Sequence, residues 1–117
     1  MKGKLFLIHW NAPEAEEFAR PLRQDGWQVT VEAEDGARAA RQILSSVPDV
    51  MVVYLTKLPS HGVGTAYYLR SVRQTRQMPI VFVGGQQEAV AKAKDKVPDA
   101  KCINPDELET VLTPLSQ

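Results

Sequence analysis

Few side chains in this sequence are of types that carry chemistry, and they are scattered. There are two histidines, His9 and His61, and one cysteine, Cys102. His9 follows the apolar run LFLI and precedes Trp10 and Asn11, while His61 sits in TKLPSHG, behind Thr56 and Lys57. Two imidazoles without a third acidic or thiol partner are a weak metal signal, so no metal is expected. Cys102 reads as a small core residue on a strand rather than a nucleophile. No Ser/His/Asp or Cys/His/acid set assembles, which argues against hydrolase chemistry, and the chain is not expected to be an enzyme or to hold a cofactor. Gly84-Gly85 before a helical segment is read either as a tight turn or as backbone N–H groups near a phosphate; two glycines fall far short of a phosphate-loop motif. Lys57 either adds a charge there or points to solvent.

These residues need elements to position them. At 117 residues the chain is expected to form a single domain, 1–117. A hydrophobic share of 44% supports an ordinary core, and 14 basic against 14 acidic residues leave no net charge. That balance argues against a dedicated nucleic-acid binder, so Arg70, Arg73 and Arg76 read as a solvated face. One cysteine excludes an internal disulfide. No apolar run reaches membrane-spanning length, and Met1 to Lys4 does not lead into a signal-peptide pattern. The chain reads as soluble and cytoplasmic.

Strand and helix patterns alternate. Lys4 to Trp10 reads as a buried strand, and Pro13 to Gln24 as a helix that Pro21 should kink or shorten. Trp27 to Glu34 alternates like an edge strand, and Asp35 caps a helix from Gly36 to Ser46. A third strand, Val50 to Leu55, is followed by a helix from Val63 to Gln74. Met78 to Gly85 is a strand ending in two glycines, Gln87 to Lys96 a short helix, and Ala100 to Ile103 a last strand. A final helix follows Asn104-Pro105, with Leu108, Val111 and Leu112 on one face. The pattern is (βα)5, α/β, and predicts a doubly wound sandwich with a five-stranded parallel sheet of order 2-1-3-4-5, flavodoxin-like.

Over nearly its whole length the chain resembles a response-regulator receiver domain of two-component signalling, on TKLPSHG after the third strand, MPIVFV for the fourth, and a residue-Pro step after the fifth. The resemblance implies the CheY-like fold. It also implies a set of functional positions, and this sequence departs from the family at each. The acidic pair that binds Mg²⁺ aligns with His9 and Trp10. The phosphoacceptor aspartate aligns with Leu55, four residues before Pro59. The Ser or Thr ending strand four aligns with Gly84, and the Lys before the last proline with Asn104, in a step that the family commonly makes cis. The switch aromatic of strand five falls near Lys101. Phosphoryl transfer needs a nucleophilic carboxylate and a cation to neutralise developing charge, and Mg²⁺ needs hard oxygen ligands. The expectation is a degenerate pseudo-receiver that binds no Mg²⁺, with Trp10 filling the space of the acidic pocket.

Two functions fit. One is protein–protein interaction or homodimerisation through the last two helices and last strand, the face the resemblance implies, with Glu88, Lys92, Lys94, Asp95, Lys101, Glu107, Glu109 and Thr110. The other is a sensor of a nucleotide, anion or metal in the vacated pocket, using His9, Trp10, Lys57, His61, Gly84 and Gly85.

Overall fold

The computed structural model describes residues 2–116. Five parallel strands pair in the order β2-β1-β3-β4-β5. They are β1 (Gly3–Ile8), β2 (Trp27–Glu32), β3 (Val50–Tyr54), β4 (Ile80–Val83) and β5 (Lys101–Ile103). The helices are α1 (Ala12–Gln24), α2 (Gly36–Ser45), α3 (Pro59–Ser71), α4 (Gln87–Lys96) and α5 (Leu108–Leu112). The expected (βα)5 architecture and strand order are both present.

Strand side chains alternate between two cores, as a pleated sheet covered on both faces requires. Leu5, Leu7, Val50, Val52, Tyr54, Val81 and Val83 pack under α1 and α5. Phe6, Ile8, Met51, Val53, Leu55, Ile80 and Phe82 pack under α2, α3 and α4. Every residue of β3 and β4 is buried, whereas the edge strands β2 and β5 expose part of their length.

Several boundaries differ from the sequence expectation. The strand before the first loop stops at Ile8, and the second and fourth strands are also shorter than their apolar runs. α1 contains Pro21 yet runs on to Gln24 and is capped at Asp25. The largest shift is at α3, which spans Pro59–Ser71 rather than Val63 to Gln74. Pro59 is pre-set for a first helical position. Leu58 precedes it in the left-handed region (φ 41°), and the His61 N–H donates to the Leu58 carbonyl at 3.0 Å. Val72 leaves helical geometry and a 3-10 turn follows over Arg73–Thr75. The Thr75 hydroxyl donates to the Leu69 carbonyl, closing that end. The last helix is also thinner than expected. A 3-10 turn over Pro105–Glu107 precedes the five residues of α5, and another follows over Thr113–Leu115. No described peptide bond is cis, so the Asn104–Pro105 step departs from the form the resemblance implied.

Candidate functional site

Four of the positions drawn from sequence stand in one row, each one residue beyond the end of a strand: His9, Leu55, Gly84 and Asn104. The ladder carries on through three of them. The His9 N–H donates to the Glu32 carbonyl at 3.3 Å, Leu55 to Val83 at 3.0 Å, and Gly84 to Ile103 at 2.9 Å. This row is the carboxyl edge of the sheet, where α/β folds hold their ligands.

The pleat sends His9 and Trp10 to opposite faces. His9 is fully buried on the α1 side. Its ring lies 5.3 Å from that of Phe18 and 5.4 Å from that of Tyr54, and the latter two stack at 4.6 Å. Nε2 is 3.2 Å from Glu14 Oε1, while Nδ1 has no hydrogen-bond partner. Burial pushes the Tyr54 phenol up to about 12. Sequence reasoning missed this aromatic packing and the Glu14 contact, although His9 and Glu14 are five residues apart.

Trp10 packs on the other face, between the first turns of α2 and α3. Two glycines lie within van der Waals range of its indole. A Cβ on Gly62 would stand 3.7 Å from Trp10 Nε1 and 2.5 Å from Val53 Cγ1, and a Cβ on Gly36 would stand 3.9 Å from Trp10 Cη2. The His61 ring meets the indole edge-on at 5.9 Å. Trp10 Nε1 is buried without a partner. His9 and His61 therefore lie on different sides of the sheet, and His61 is exposed. Among the described residues no three His, Cys, Asp or Glu side chains are grouped to hold a metal.

Leu55 is 2% exposed. Gly85 lies directly against it: a Cβ there would be 2.6 Å from Leu55 Cβ. Gly84 and Gly85 have φ of 69° and 89°, a turn that glycine adopts freely. Asn104 is exposed and engaged in a capping box, its backbone N–H donating to Glu107 Oε1 at 2.9 Å. No carboxylate belongs to the row. Lys57 is exposed in the turn after β3.

A groove of ≈ 1140 Å³ opens between α3 and α4 and reaches Leu55, Thr56 and Gly85 at its inner end. His9, Trp10, Gly84, Lys57 and His61 do not line it. The residues drawn from sequence as one interaction face are divided among separate surfaces. Glu88, Lys92 and Asp95 line the α3–α4 groove, and Glu109 lines a groove against α1. Lys94 lies on the other side of α4, where its charge acts on Cys102 of β5. Burial raises the Cys102 thiol and Lys94 only partly opposes that, which fits a structural cysteine. Lys101 is exposed on β5, Thr110 is exposed on α5, and Glu107 serves the Asn104 cap.

Two charged groups have structural work that the sequence did not announce. Arg70 is not part of a solvated face. Its Nη1 donates to the carbonyls of Thr75 (3.1 Å) and Arg76 (2.7 Å), and its Nη2 pairs with Asp99 at 3.1 Å. Glu32, at the end of β2, is 4% exposed. It accepts two 2.7 Å bonds from Arg38 and the backbone N–H groups of Glu34 and Asp35. Arg38 outweighs desolvation and, with those N–H groups, holds the carboxyl at about 2. A lowered folded pKa contributes stability that is full above the unfolded value and lost as pH falls through the folded one. The expected result is stability that falls between about pH 4.5 and 2, with that slope flattened in Glu32→Gln. At pH 7 the same variant should lose about 2 kcal/mol in urea unfolding, from charge-assisted bonds removed at a buried site.

No family model matches the chain, and no curated protein matches it. Solved structures do. It aligns with a Chloroflexus aurantiacus J-10-fl protein provisionally described as a response regulator, at 20% identity and TM-score 0.81, covering 98% of each chain. Against the chemotaxis protein CheY4 of Vibrio cholerae the values are 17% and 0.79, over 98% of this chain and 99% of that one. Against the receiver domain of a Syntrophus aciditrophicus histidine kinase they are 16% and 0.78, over 97% and 89%. With strand order β2-β1-β3-β4-β5 and this likeness along almost the entire chain, the fold is that of the response-regulator receiver domains.

Proposed function

We propose that this chain is a receiver-fold signalling module that takes up no phosphoryl group and acts by binding a protein partner. The observation that carries the reading is Leu55: a buried apolar side chain where the family resemblance places its nucleophile. The rest of the edge agrees. Trp10 and His9 offer no carboxylate for Mg²⁺, and Asn104 caps a turn in place of a cation. A domain of this kind holds one state and signals by its presence or by its partner's level.

The partner surface we assign to α4, β5 and α5, where Lys94 and Lys101 are exposed beside the edge strand. Rim charges of this kind set association rate and specificity. Charge reversal of Lys94 and Lys101 together should leave the fold intact and weaken partner capture at least tenfold, read by pull-down and by calorimetry with the partner recovered. Undiminished capture would move the site elsewhere.

A second reading, a small-ligand sensor at the same edge, draws support from the α3–α4 groove, whose volume suits a small molecule and whose inner end touches Leu55 and Gly85. Saturable amide shifts at Thr56, Gly85 and Val63 with a nucleotide, in the absence of any protein, would favour it.

A further inference from the structure

We infer that α3 is the contact face of a two-fold homodimer, separate from the partner surface on α4, β5 and α5. The exposed residues of this helix are Ser60, His61, Gly64, Tyr67, Tyr68 and Ser71. They recur at helical spacing and form one ridge. That ridge has no Asp, Glu, Lys or Arg, in a chain of which 24% is charged. The next charge along, Arg70, is turned inward onto Thr75, Arg76 and Asp99. Tyr67 and Tyr68 are 53% and 50% exposed, and Leu58, at the head of the helix, is 55% exposed. Exposed apolar surface gathered on one element marks an interaction site.

Gly64 opens a recess in the middle of this ridge. It sits in the interior of a helix, where glycine weakens helical structure. The fold gives no reason for it, because a Cβ there would meet nothing within 4 Å. Gly36 and Gly62, by contrast, leave room for Thr65 Oγ1 and Val53 Cγ1, which would stand 2.8 and 2.5 Å from a Cβ there. The space at Gly64 faces outward, where the α2–α3 groove and the α3–α4 groove both reach it. A recess at Gly64 and two tyrosine knobs one turn further along the same ridge are the two halves of an isologous contact, in which one patch must fit itself.

The flanking charges agree with a second copy as the occupant. With the two α3 helices antiparallel about a two-fold axis, the α4 flank of one copy meets the α4 flank of the other. That flank reads Glu88, Lys92, Asp95, Lys96, so Glu88 of one chain faces Lys96 of its mate, with Asp95 beside it, and Lys92 meets Lys92 at the solvent-exposed middle. Lys96 already sits over the Tyr67 ring at 5.3 Å and carries positive charge to that rim. The same symmetry sets Arg41 on the α2 flank opposite Arg41 of the mate, a like-charge pair that solvent screens at the rim. The chain's zero net charge imposes no long-range repulsion between copies.

The test is sedimentation velocity across a concentration series of the whole chain, with circular dichroism alongside. The wild type should shift with concentration from 13.0 kDa toward twice that mass. Gly64→Gln fills the recess and improves the helix, so it should melt no lower than wild type while its dimer dissociation constant rises at least tenfold. Tyr68→Ser should weaken the dimer similarly, and charge reversal at Lys94 and Lys101 should leave it unchanged. A wild type that stays monomeric at every concentration overturns the proposal. So does a dimer that Gly64→Gln leaves intact.

Discussion

Leu55→Asp, which restores a carboxylate where the resemblance calls for one, is expected to destabilise the protein by about 3–5 kcal/mol at pH 7 and to confer no phosphorylation. Leu55 is 2% exposed and belongs to the core between the sheet and α2, α3 and α4. A charge there would have no cation facing it. Asn104 stands at the end of β5, Trp10 at the end of β1, and Lys57 is exposed in the turn. An unpaired buried carboxylate has its pKa raised, so the penalty applies fully above the raised value and shrinks as pH falls toward the unfolded pKa. Urea unfolding at pH 7 and pH 5 should show the smaller deficit at pH 5. A loss under about 1 kcal/mol, or Mg²⁺-dependent labelling by a small phosphodonor, would show that the edge still accommodates the family's chemistry.

Gly85→Ala is the second large effect, expected at about 3 kcal/mol or more, with a lowered midpoint and an unchanged denaturant slope. Two costs combine. The residue holds φ 89°, which a Cβ disfavours, and that Cβ would lie 2.6 Å from Leu55 Cβ and 3.3 Å from the Leu55 carbonyl oxygen. Backbone cannot give way as the end of a flexible side chain can. If the measured loss is below about 1 kcal/mol, the turn relaxes to admit a Cβ and the close Gly85–Leu55 approach is not rigid.

The same two residues show how far the sequence reaches. The apolar run Val50 to Leu55 and the glycine pair Gly84-Gly85 announce a buried strand and a turn, because β-branched runs and φ-permissive residues have strong local causes. Strand order followed from the polar alternation of β2. The start of α3 was legible only in part. Ser60, His61 and Gly62 look like loop residues, and it is Pro59 at the first helical position and packing of Gly62 on Val53 that draw them into the helix. Trp10 stands just after β1, as expected, and packs against the core under α2 and α3. Its packing beside the glycines at 36 and 62 is a tertiary arrangement with no sequence period. Glu32 with Arg38, and Arg70 with Asp99, are likewise pairs that only the folded chain brings together. A charge read in isolation defaults to solvent, and for Arg70 that default was wrong. On the last two helices, Glu88 and Glu109 line different grooves, a division that residue type alone does not announce.

A receiver fold without the phosphoryl switch is tested by a two-dimensional amide NMR titration with Mg²⁺ and beryllofluoride. A domain without the switch should show no saturable shifts at His9, Leu55, Gly84 and Asn104, the row at the carboxyl edge of the sheet. Saturable shifts confined to that row, dependent on both Mg²⁺ and beryllofluoride, would contradict that reading.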